Sequence, residues 1–255
     1  MAIEYRYDGT FAGFLTSIFD IYKRKEQPES ILHSEKNTLN FTEKYAVITD
    51  LVKSERVWAG IVKNGGEQTG NQIYYAFLSC DNNVEMTLLN YIRLLFETKR
   101  NVMYDFANPT VLKVHKLSRT VSRESHRLLM FLRFEQAADG TYFAPFAPKY
   151  DVLPLTLSHF KARFTDQHWL IYDTLRNYGF YYDTKTIEQI VINNPAFSSE
   201  TGRLQSNSGH SDEDKWQDIW RAYFRSIAIA ERKNLTLQRN LMPKRFWKYL
   251  TEKRL

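Results

Sequence analysis

His159, Arg163, Asp166, His168, Asp173 and Asp183 stand close together in the sequence, and their types suit proton transfer. A carboxylate beside an imidazole can draw a proton from water, and such a pair can also hold one divalent metal ion. His159, Asp166 and Asp173 are therefore the catalytic candidates for a hydrolase or nuclease-like centre. A structural reading stands beside this one: Asp166 caps or turns the chain, and His159 and His168 make ordinary hydrogen bonds. The six histidines show neither a His-x-x-x-His nor a His-Glu-x-x-His spacing. No nucleophile–base–acid order is seen, so neither a metal nor a cofactor is expected.

The second chemistry is anion binding. Residues 111–133 carry six Lys or Arg against one acid, Glu124, and residues 231–255 carry eight against two. The whole chain is only +6, so the remainder is net acidic. An asymmetry of this kind favours nucleic acid as a partner. At 100° per residue, Lys116, Arg119, Arg123 and Arg127 share one helix face, with His126 at its edge. Val114, Leu117, Val121, Ser125 and Leu128 share the opposite face. Such a row matches a phosphate backbone, and arginine grips phosphate with two donors at once. The nucleic-acid-binding candidates are Arg119, Arg123, His126, Arg127, Arg133 and Arg163, joined by Lys244, Arg245 and Lys248 in the tail. A solvated helix face paired to the acidic remainder is the alternative.

The elements that must position these residues follow from periodicity. Asn108 and Pro109 start the long helix. Phe131–Phe134 and Thr141–Ala144, joined by Asp139-Gly140, read as a β-hairpin ended by Pro145 and Pro148. Leu155–Phe164 is a short helix. His168–Asp173 and Phe180–Asp183, turned by Asn177-Tyr178-Gly179, form a second hairpin, and Phe180-Tyr181-Tyr182 could offer a base a stacking face. Earlier in the chain, Ile3–Tyr7 is a strand feeding a helix capped by Thr10, and Ile31–His33 is a short strand. Thr42 caps a helix through Val62 that ends at Asn64-Gly65-Gly66. Gln72–Ser79 and Val84–Glu97 are helices. Later, Ser211 starts a helix whose core stripe is Trp216, Ile219, Trp220, Tyr223, Phe224 and Ile227. Residues 193–211 read as a polar loop, the most mobile internal segment, and 240–255 as a basic C-terminal helix from Pro243.

These readings make an α+β protein: one helix-rich domain over residues 1–255, packed around a small mixed or antiparallel sheet built from the N-terminal strand and the two hairpins. The 255 residues are 43% hydrophobic, 25% charged and 15% aromatic, which is globular composition with an aromatic surplus. Cys80 is the single cysteine, so no internal disulfide or thiolate cluster forms. No signal peptide or apolar run of membrane length is seen, and a cytoplasmic protein with no membrane association is expected.

Four segments carry a family resemblance: YDGTFAGFLTSIFDIY at 7–22, LPLTLSHF at 153–160, RFTDQHWLIYDTLRNYGFYYD at 163–183 and ERKNLTLQRNLMPKRFWKYLTE at 231–252. Together they resemble a bacterial family of DNA-metabolism proteins that carries domain of unknown function 4130. The matching positions include Asp8, Gly9, His126, Arg133, His159, Arg163, Asp166, Gln167, Asp173, Tyr182, Asp183, Pro243 and Trp247. The resemblance implies a role in DNA metabolism or repair and a radical-SAM protein as a partner. Some relatives are fused to a uracil-DNA-glycosylase-like domain. It carries over no established catalytic residue. Three functions are therefore in view: a nucleic-acid-binding accessory of DNA repair, a hydrolase using His159, Asp166 and Asp173, and a docking module for the radical-SAM partner.

Overall fold

The N-terminal strand β1 (Ile3–Tyr7) is the central strand of its sheet. In a computed structural model, which describes residues 3–35, 43–192, 209–227, 232 and 234–253, it lies between β2 (Ser30–His33) and β3 (Glu43–Ala46) and runs parallel to both. Parallel neighbours need a crossover, and α1 (Phe11–Arg24) supplies it between β1 and β2. Thr10 starts α1 by accepting the Gly13 N–H at 2.9 Å. Its buried face, Phe14, Leu15, Ile18 and Ile21, joins Tyr5 and Tyr7 in one core. Helices α2 (Leu51–Gly65), α3 (Glu67–Phe77) and α4 (Val84–Thr98) complete it with Ile61, Ile73, Leu88, Leu89 and Ile92. The single thiol, Cys80, is exposed just beyond α3. Helix α5 (Pro109–Phe131) follows, capped by Asn108, whose side chain accepts the Thr110 N–H at 2.9 Å.

The chain divides into two compact units, Met1–Arg123 and Glu124–Leu255, so the division falls inside α5. The second unit holds a five-stranded mixed sheet, order β4-β5-β6-β7-β8. Its strands are β4 (Glu135–Gln136), β5 (Tyr142–Phe146), β6 (Trp169–Asp173), β7 (Tyr178–Tyr182) and β8 (Ile187–Ile190). Only β5 and β6 are parallel, and α6 (Leu157–Arg163) lies in the crossover between them. Gly179 is inside β7 because a Cβ there would stand 2.6 Å from the Ile171 carbonyl oxygen of β6. Then come α7 (Glu213–Ser226), α8 (Leu235–Leu241) and two 3-10 segments, Lys244–Tyr249 and Thr251–Lys253.

The α+β class is as expected, but its strands form two sheets instead of one. β1 has both of its edges filled by the parallel strands β2 and β3, so neither hairpin joins it. The helix expected from Thr42 is preceded by β3, and Thr42 itself lies outside the described residues. That helix starts at Leu51, where the Asp50 carboxylate accepts the Lys53 N–H; Tyr45 instead sets its ring, tilted by 51°, 4.9 Å from Tyr5. Phe131 is the last residue of α5, which leaves the first hairpin only the short arm β4, although the turn at Gly140 has the expected positive φ of 86°. β8 is an additional strand. The C-terminal helix is instead α8 followed by 3-10 turns. The expected stripe on α7 does not reach a core: Trp216, Ile219, Trp220, Tyr223 and Ile227 are all exposed. The polar loop falls at 193–208 on residues outside those described.

Candidate nucleic-acid interface

The long helix places its residues as the 3.6 period requires. Val114, Val121, Ser125 and Leu128 are buried, while Lys116, Arg119, Arg123 and His126 are exposed. One acid lies beside the cationic row, on the buried side of the helix. Glu124 is buried at 1% exposure, and a buried carboxylate must be paired. Its partners come from three places. Arg245, from the first 3-10 segment, donates from Nη2 to Oε2 at 2.6 Å; the Arg127 Nη1 stands 3.6 Å from the same oxygen; and the Lys149 N–H donates to Oε1 at 2.9 Å. One arginine from each basic cluster, Arg127 and Arg245, thus meets the same carboxylate in the second unit. Arg245 also lies over the Phe246 ring at 4.4 Å, and Phe246 is fully buried. Lys244 and Lys248 are exposed on the same segment.

Arg133 and Arg163 meet elsewhere in this unit. Both line a cavity of about 790 Å³. Its walls come from Phe134 after α5, Gln136 on β4, Tyr142 on β5 and Phe164 after α6, with Glu213, Trp216, Gln217 and Trp220 from α7 and Thr251 from the last 3-10 segment. Arg133 is locked in place. Its Nη1 donates to the Met130 and Leu132 carbonyls, and its Nη2 donates to Glu252 at 2.8 Å. Trp220 donates to the other Glu252 oxygen at 3.0 Å. Burial alone would raise the Glu252 pKa, but hydrogen bonds from its own backbone, Trp220 and Arg133, together with the Arg133 charge, hold that carboxyl below the ordinary glutamate range. Glu213 accepts the Gln136 N–H and the Gln217 amide, one on each oxygen. Arg163 is exposed beside Phe164, with its guanidinium 5.8 Å from that ring.

The hydrolytic candidates lie on α6, on β6 and in the turns beside β6 and β7. Asp173 is fully buried at the end of β6. Its Oδ1 accepts the Leu175 and Arg176 N–H groups, and its Oδ2 takes an ion pair from Arg176 at 2.7 Å. Asp183 accepts the Lys185 and Thr186 N–H groups, and these backbone bonds lower its pKa. The Nδ1 of His168 hydrogen-bonds the Tyr181 hydroxyl at 2.9 Å. His159 is exposed on α6, edge-on to Phe160, and Asp166 is exposed in the turn before β6. Among the described residues, no three His, Cys, Asp or Glu side chains gather as a metal site requires. Sequence reasoning does not single out the aromatic walls of the cavity. They lie on several separate elements, and the aromatic surplus is the one signal in the sequence that points towards them.

An α+β chain with a cation-bearing helix and an arginine–aromatic cavity is what fold and site define. A family model described as a domain of unknown function, DUF4130, matches residues 68–252, and the chain belongs to that family. The match takes in α3 through most of the last 3-10 segment and leaves β1, α1, β2, β3 and α2 outside it. No curated protein and no solved structure matches the chain. None of the described helices is long and apolar enough to cross a membrane.

Proposed function

We propose that this chain is a nucleic-acid-binding accessory protein of DNA metabolism or repair, gripping the phosphate backbone through its second unit. The observation that carries the reading is the convergence of one arginine from each basic cluster on Glu124. One buried acid cannot neutralise Arg127 and Arg245 together, and Lys244 and Lys248 add exposed charge beside them. A surface of this kind releases counterions on binding, so affinity falls steeply with salt. The family resemblance to DNA-metabolism proteins supports the same reading. The test is anisotropy of labelled single-stranded DNA, duplex DNA and RNA across a salt series. Lys244→Glu with Lys248→Glu is expected to weaken binding and to flatten the slope of log affinity against log salt by about 0.9 for each duplex phosphate that the variant no longer neutralises. An unchanged affinity and slope in this variant would remove the tail from the interface. The same outcome in Arg127→Ala, within the part of α5 that belongs to the second unit, would remove the helix.

A second reading rests on the apolar face that α7 exposes among the described residues. Trp216, Ile219, Tyr223 and Ile227 are exposed there, as are Leu235, Leu237 and Leu241 on α8. Faces of this kind mark protein docking sites, and the resemblance supplies a radical-SAM protein as the candidate. Co-purification from native cells tests it, with Ile219→Asp expected to lose the partner.

A further inference from the structure

We infer that the cavity of the second unit receives one unstacked base of a single-stranded nucleic acid, with its phosphate held at the mouth by Arg163. This rests on the nucleic-acid reading above and gives it a ligand class. Size admits it: about 790 Å³ falls within the roughly 300–1,000 Å³ of small-molecule pockets. The walls decide which end of a nucleotide enters. Arg133 gives its two terminal nitrogens to two carbonyls and Glu252, so its charge is balanced and only its buried Nε is left without a partner among the described residues. Glu213 places a carboxylate on the same wall. A phosphate inside would therefore face one acid and a cation whose charge Glu252 already pairs. A base would face Trp216, Tyr142 and Phe164, whose π-surfaces stack on any base, and Glu213 can accept from a base N–H. Arg163 is exposed beside Phe164, where a sugar–phosphate leaving the cavity needs a cation. In a duplex both faces of a base are already stacked, so entry there demands unpairing. Single strands are the substrate class that the cavity fits.

The test uses the full chain with a short fluorescein-labelled oligothymidylate and a labelled hairpin duplex, measured by anisotropy and by quenching of tryptophan emission. Trp216 is 61% exposed, so its replacement leaves the fold intact, and circular dichroism verifies this. Trp216→Ala is expected to weaken single-strand binding about tenfold or more, the value of one base–aromatic stack. Duplex binding stays unchanged, and Trp216→Phe retains the single-strand affinity. Trp216→Ala binding the single strand as the wild type does overturns the inference. So does an equal loss on both probes, which would mean the residue does not select unstacked bases. A wild-type protein that binds neither probe at low salt overturns the nucleic-acid reading itself, and the two failures are told apart by this control.

Discussion

At the scale of single residues, the carboxylates divide by what already occupies them. Asp173 has both oxygens committed to the turn after β6 and to Arg176, and Arg176 in turn reaches the Pro148 and Lys149 carbonyls. Its work is to tie that turn to the segment after β5. Asp173→Ala should therefore cost stability, about 2–3 kcal/mol, because it strips a charged acceptor from two amides and a guanidinium. Urea unfolding measures this. A variant as stable as the wild type but changed in activity would restore the hydrolytic role expected from its place near His159 and Asp166. The sequence shows which residue types are present in 159–183, but it does not show that the Asp173 oxygens are spent on local amides. That depends on the turn geometry of residues 173–176, which the spacing does not encode.

At the scale of elements, the C-terminal 3-10 segment is clasped to α7 and to the end of α5 through Glu252. This carboxyl titrates lower in the folded chain than in the unfolded one. The stability it contributes is therefore present above the unfolded value, about 4.3, and is lost as pH falls through the lower folded value. Acid should loosen the clasp and alter Trp220 emission at such pH, and Glu252→Gln should abolish that step. A pH profile of fluorescence identical in the two proteins would locate the acid sensitivity elsewhere. The elements also differ in how far the sequence announces them. Helix α5 is legible because Asn108, Pro109 and an unbroken 3.6 period agree with one another. β4 and β8 are not: Glu135-Gln136 is too short to alternate, and Ile187-Glu188-Gln189-Ile190 reveals itself only through pairing with β7. The stripe on α7 is apolar as its period says, yet it is not core, since periodicity shows which face is apolar and not what covers it.

At the scale of the whole molecule, the family boundary and the physical units do not coincide. The match begins at residue 68, yet the first unit builds one core from both sides of that point, Phe14, Ile18 and Ile61 packing with Leu88, Leu89 and Ile92. A fragment of residues 68–255 should therefore expose the inner faces of α3 and α4 and aggregate, whereas the full chain stays dispersed. Size-exclusion chromatography decides this, and a monomeric fragment with native helical content would show that the later helices pack without β1 and α1. Cys80 has a consequence at this same scale. It is the one thiol of the chain and is exposed in the first unit, while four of the five tryptophans, at 169, 216, 220 and 247, belong to the second. A maleimide dye accepting tryptophan emission would attach at a single point, with no competing thiol. Energy transfer to it then becomes a ruler between the two halves of the chain, read before and after nucleic acid is added.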